Sequence, residues 1–229
     1  MRMTALFLSL LLIATAAVAQ KAVPPPPKPA DKGPSLAVTM KFIEDKLNDQ
    51  GRVGYVMTRS DMSAITVREF YQISNVVAGA ATCTLRTMET TDTSIEAAPG
   101  YNYTEGGQQV TGDDLNRHKV ATTTIFLRKI ESIQVEAWQN LVNRQWAEAA
   151  HPEISSTYTP AVVGLTLIAS KPVFSFHNSF TVGKRQAVVS DDPSKEDFLT
   201  FRDEETANRV AKALTHAVEL CGGGNKEPF

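Results

Sequence analysis

Cys83 and Cys221 are the only two thiols in the 229-residue chain. A thiol can act as a nucleophile, a metal ligand or half of a disulfide, and the compartment decides which is open to it. Cys83 falls in a predicted strand and Cys221 at the end of a predicted C-terminal helix. An even count in an exported chain favours pairing over two buried free thiols, and pairing would staple the helix to the sheet. The same pairing would remove both candidates for a cysteine nucleophile. The histidines are His118, His151, His177 and His216, and none lies three to five residues from another, so zinc spacing is absent. There is no G-x-S-x-G turn for a serine nucleophile. Gly222 to Gly224 follow a helix instead of opening one, which is the wrong side for a phosphate cradle. The acidic groups Asp113-Asp114, Asp191-Asp192 and Asp203-Glu204-Glu205 read as turn and cap chemistry before they read as cation sites. Neither a catalytic set, a cofactor motif nor a metal motif is assigned.

The compartment is read from the start of the chain. In MRMTALFLSLLLIATAAVA (1–19), Arg2 gives the positive region and Ala5 to Ile13 the apolar run. Ala17-Val18-Ala19 gives the small-x-small cleavage site of a secretory signal peptide. The apolar run is too short for a bilayer span, and no cysteine stands near the cleavage site to carry a lipid. A periplasmic or secreted protein is therefore expected, with no membrane span after cleavage. Residues 20–34 hold half of the twelve prolines and read as an extended spacer. The chain carries 23 Lys plus Arg against 25 Asp plus Glu, and loss of Arg2 takes the net charge from −2 to −3. That balance does not suit a phosphate-binding surface, so no nucleic-acid partner is expected.

Residues 35–224 read as one α+β domain, followed by a tail at 225–229. Ser35 caps a helix near 36–49, with Leu36, Met40, Ile43 and Leu47 at helical spacing and Gly51 as its stop. Segments near 53–60, 68–77, 82–91, 101–110 and 119–127 are rich in β-branched and aromatic residues between turns, as in an antiparallel meander. The run 126–136 reads as a strand, a short turn and another extended piece. The period changes between Val135 and His151, where Trp138 and Trp146 fall on one stripe of an inserted helix, with that side packed on the sheet. Segments 157–170 and 172–184 read as a hairpin, 198–202 as a last strand, and 203–224 as a helix capped by Asp203.

The run FLTFRDEETANRVAKALTHAVELCGG (198–223) resembles the ending of a set of uncharacterised exported bacterial proteins of the acidobacterial kind. PSLAVTMKFIEDKLNDQG (34–51) and NVVAGAATCTLR (75–86) resemble the same set. The strand-then-helix ending and the turn LRKIESIQVE (127–136) are also similar to pleckstrin-homology-like barrels. The resemblance implies a PH-like partial β-barrel with an N-terminal helix, an inserted helix and a long C-terminal helix. It implies no activity, because a fold does not fix a function. The expected role is a non-enzymatic binding or interaction domain of the bacterial envelope, its partner an envelope protein or a small ligand. The alternatives are a carrier of a small apolar ligand lined by Phe174, Phe176 and Phe180, or a hydrolase or isomerase assembled from distant residues around His118 or His177.

Overall fold

Three helices and thirteen strands follow one another in the computed structural model, which describes residues 33–105, 108–183, 185–189 and 193–224. The signal-like segment 1–19, the spacer up to residue 32, Asp191-Asp192 and the 225–229 tail lie outside the described residues. The chain from Pro34 onward is one contact unit.

Helix α1 is Leu36–Asp49, and the Ser35 hydroxyl accepts from the Val38 N–H at its start. Gly51 follows at φ +69, the left-handed conformation that lets the chain leave the helix. Strands β1 (Arg52–Arg59), β2 (Ile65–Gly79) and β3 (Thr84–Ala97) form a long meander. The expected strand at 101–110 is only a two-residue ribbon, β4 (Thr104–Glu105) with β5 (Gln108–Gln109). The Pro99-Gly100 turn precedes it, and residues 101–103 lie outside regular structure. Strand β6 (Asn116–Phe126) leads through a 3-10 turn to β7 (Ile130–Ala137), and helix α2 is Trp138–Glu148. Then come β8 (Ser156–Thr159), β9 (Val163–Ala169), β10 (Phe174–Val182), β11 (Arg185–Val189), β12 (Pro193–Ser194) and β13 (Glu196–Phe201). Helix α3, Glu204–Leu220, closes the fold, with the Asp203 carboxylate accepting from the Thr206 N–H at 2.7 Å.

The larger sheet runs β11-β10-β6-β3-β2-β1-β8, with β12 added beside β10, and the smaller runs β13-β9-β7. Every pairing between described strands is antiparallel. Neither sheet closes into a barrel. The expected hairpin of 157–170 with 172–184 is also corrected: β9 pairs with β7 and β13, whereas β10 pairs with β6 and β11. Pro160 ends β8 early, so what reads as one strand is two, in different sheets.

The main core lies where α1 and α3 meet the two sheets. Met40, Ile43 and Leu47 pack with Val210, Leu214 and Ala217, and with Ile73, Leu85, Ile125, Leu165 and Leu167. A smaller cluster of Val53, Tyr55, Tyr158 and Val162 sits at the far end, against Trp138. The end of α3 is pinned to the turn before β7: Gly224 donates to the Ile130 carbonyl at 2.8 Å, and Gly223 passes so close that a Cβ there would sit 2.5 Å from the Leu127 carbonyl oxygen. Gly223→Ala is expected to destabilise the domain by about 1–3 kcal/mol, because backbone and not a flexible side chain must move. Urea denaturation checks this, and an unchanged midpoint would show that the contact is not tight.

Candidate functional site

Strand alternation on the larger sheet puts Leu85, Thr87, Glu89, Thr91, Thr93 and Ile95 of β3 on its inner face. The ends of that series are apolar and its middle is polar. Cross-strand register brings Tyr71 opposite Thr91 and Thr91 opposite Lys119, and in the next row Tyr55 opposite Glu69, Glu69 opposite Thr93 and Thr93 opposite Arg117. These rows cannot join the apolar core, so the two sheets part there. The space between them is a cleft of about 700 Å³, walled on the other side by Asp197, Phe198 and Trp138. Trp138 meets Phe198 edge-on at 6.1 Å between ring centroids. Lys119 and Glu196, both exposed, stand on its rim.

Two carboxyl groups lie deep in this cleft. Asp197 is 1% exposed. Its Oδ1 accepts from the Phe198 N–H at 2.9 Å, and its Oδ2 is buried with no hydrogen-bond partner. Burial pushes this carboxyl up to about 7, against the opposing pull of the Phe198 N–H and the Lys119 charge. Glu89 keeps part of its surface open to the cleft while protein atoms surround it. Burial, and then the neighbouring Asp197 charge, raise it well above the usual carboxylate range, and Lys119 again opposes. Tyr71 is held well above its ordinary range by burial and then by the Glu89 and Asp197 charges. Tyr55 is pushed up by burial and by Glu69, and Tyr158 behind it is pushed up to about 12 by burial. The Asn178 Oδ1 is a further buried acceptor without a partner in the wall. The cleft therefore offers acceptors that the protein leaves unused, flanked by ring faces, which is the usual make-up of a small-molecule site.

The sequence-derived candidates fall elsewhere. The Sγ atoms of Cys83 and Cys221 are 2.12 Å apart, at disulfide distance, and their Cα atoms 5.8 Å apart. Cys83 sits in the turn just before β3 and not within a strand, and Cys221 caps α3. His118 lies on the outer sheet face, its Nδ1 2.6 Å from the Asp92 Oδ1, and Arg52 pairs with the same carboxylate while stacking over Phe70 at 4.3 Å. This is a His–carboxylate contact, but on an open face with both side chains more than two-fifths exposed. His177 is exposed on the same face of β10, His151 faces Glu153 at 3.2 Å, and His216 meets the Pro34 carbonyl at 2.9 Å. None lines the cleft. Phe174 is fully buried in the main core and so does not line an open cavity; the side chains of Phe176 and Phe180 lie outside the described residues. Trp138 does pack on the sheet and forms cleft wall, while Trp146 lies under the Arg59 guanidinium at 4.6 Å.

Asp203 and Glu204 keep to cap chemistry, as expected: Asp203 accepts from both the N–H and the hydroxyl of Thr206, and Asn208 donates to Glu204. Among the described residues, no group of three or more His, Cys, Asp or Glu side chains is arranged to hold a metal ion, and no helix is long and apolar enough to cross a membrane. Compared with known proteins, the chain matches no family model, no curated protein and no solved structure.

Proposed function

We propose that the chain is an exported, non-enzymatic binding domain of the bacterial envelope that holds a small polar molecule between its two sheets. The observation that carries this reading is the 700 Å³ cleft with the buried, unpartnered Asp197 Oδ2 at its back. Its volume falls within the range of small-molecule sites. Export is supported by the pattern of residues 1–19, the proline-rich stretch behind it and two cysteines at bonding distance. The charged groups set among the aromatic walls favour a ligand with a polar end over the wholly apolar one that a phenylalanine-lined barrel would carry. The pleckstrin-homology-like character rests on the strand-then-helix ending and the 127–136 turn.

The test is a thermal-shift screen of a few hundred small polar organics against the wild type and Thr91→Trp. Thr91 faces the cleft, so an indole there fills the space without entering the core. Compounds that stabilise the wild type and not the plugged variant are expected. A screen with no such compound sinks the proposal.

A second reading has one specific observation behind it. A carboxyl near neutrality beside a second raised one is suited to general acid–base chemistry. It requires that a compound found in the screen be recovered chemically changed after prolonged incubation, and recovery unchanged decides for binding alone.

A further inference from the structure

The charges around the cleft are unequal. Glu69, Glu89, Glu196 and Asp197 line it, against Arg59, Arg117 and Lys119. Arg59 is already matched by Asp61, through Nε at 3.0 Å and a terminal nitrogen at 2.7 Å. Glu69 accepts from the Thr93 hydroxyl at 3.2 Å, which leaves its charge in place. Acids therefore outnumber bases in the lining, and of the two deepest acids Glu89 accepts a long 3.5 Å bond from the Thr87 hydroxyl while Asp197 Oδ2 has no donor. The Lys119 charge opposes both, yet its side chain belongs to the exposed rim.

A buried carboxylate oxygen with no donor is expensive to keep ionised, and a ligand that supplies the donor removes that cost. The donor must be charged to compensate a second carboxyl as well. An ammonium group carries several N–H donors in a small volume and can meet Asp197 Oδ2 and Glu89 together. The neighbouring walls are aromatic: Tyr55 and Tyr71 on the larger sheet, Trp138 and Phe198 opposite. Ring faces attract cations and cover hydrocarbon.

Resting on the reading of the cleft as a binding site, we infer that its ligand is a small organic amine, bound as a cation with its nitrogen between Glu89 and Asp197 and its carbon skeleton against the aromatic walls.

Three probes of one shape separate the possibilities: phenethylamine as the cation, 2-phenylethanol as the neutral form and phenylacetate as the anion. Calorimetric titration at pH 8 uses the full mature protein, Asp197→Asn, Glu89→Gln and Thr91→Trp. The amine is expected to bind at least ~10-fold more tightly than the alcohol, which corresponds to one hydrogen-bonded charge pair. Asp197→Asn and Glu89→Gln are each expected to weaken amine binding at least ~10-fold, because each removes one of the two charges that meet the ammonium. A cooperative urea transition in each variant shows that it is folded. Equal or tighter binding of the alcohol or the acid overturns the amine assignment; if that binding is lost in Thr91→Trp, the cleft remains a binding site for another chemistry. Failure of all three probes overturns the amine assignment too, and the broad screen then judges the cleft by itself.

Discussion

Asp197→Asn is expected to stabilise the ligand-free domain at pH 8, with the gain shrinking steadily as the pH is lowered. The carboxyl is almost fully buried, one of its oxygens has no partner, and burial holds it near 7 against an ordinary value of 3.8. A carboxyl raised in the folded state binds its proton more tightly there than in the unfolded chain. Its favourable contribution is fully present below about pH 4, falls as the pH rises, and is lost once the pH passes the folded value near 7. Over that window the linked change is on the order of 4 kcal/mol, since one pKa unit corresponds to about 1.4 kcal/mol. An amide cannot ionise, so the variant avoids this loss. It should be more stable than the wild type by roughly 2–4 kcal/mol at pH 8 and by about 1 kcal/mol or less at pH 4.5. Its side-chain oxygen can still accept from the Phe198 N–H. Urea denaturation of both proteins across this pH range reads the result. Parallel stability curves would mean that Asp197 is solvated in the folded state, and would remove the main support for the cleft as a site. Glu89 steepens the wild-type curve in the same direction, because burial and then the Asp197 charge raise its cost of ionisation.

The helices were legible because their signals are local. Ser35 and Asp203 cap α1 and α3 where side-chain chemistry places them, and the stripes Met40-Ile43-Leu47 and Val210-Leu214-Val218 face one core. The strands β1, β2, β3 and β6 are legible from composition, with ends displaced by about one residue in β1 and by up to about six in β3. Sheet membership was not legible. Segments 163–169 and 174–182 adjoin in sequence with turn residues between them, and pairing them is the simplest guess. Their true partners, β7 with β13 and β6 with β11, are set by contacts distant in sequence. Barrel closure failed for the same reason, since closure depends on register summed over every strand.

The site was missed although a signal was present. From Thr87 to Ser94, β3 carries polar or charged side chains on both faces, with Met88 the exception. A half-buried strand should alternate, so polarity on both sides means that the inner face meets something other than core. Glu69 and Tyr71 on β2, and Arg117 and Lys119 on β6, repeat the pattern at positions whose register became known only from the fold. Asp197 gave no such signal, because the acidic run around it reads as a surface loop. The residue types that motif spacing makes conspicuous, histidine and glycine, lie outside the cleft.

Breaking the link between Cys83 and Cys221 is expected to be the most damaging change to the covalent frame. The two residues are 138 apart in sequence, so the bond closes a loop that takes in most of the domain. In the chain-entropy picture a loop of that length restricts the unfolded ensemble by about 5 kcal/mol, and measured losses on removing such bonds run at about 2–5 kcal/mol. The native state is already arranged to hold the joined ends: the Leu127 N–H donates to the Cys83 carbonyl at 3.0 Å, and the residues after Cys221 bond to Val218 and Ile130. Cys83 itself sits at φ +54, an uncommon conformation for a residue with a side chain. A Cys83→Ser, Cys221→Ser double variant keeps that conformation and loses the bond, so its destabilisation combines the link with two changes of side chain. Reductant added to the wild type isolates the link, because residues and backbone are otherwise the same. The wild type should lose about 2–5 kcal/mol in urea with reductant and fall to the level of the double variant, which should not respond to reductant at all. A wild type indifferent to reductant would show that the thiols are unlinked in solution. If the loss is confined to the unfolded ensemble, ligand binding in the cleft should survive reduction, because no cleft residue touches the bond and α1 and α3 remain packed through Met40, Val210 and Leu214.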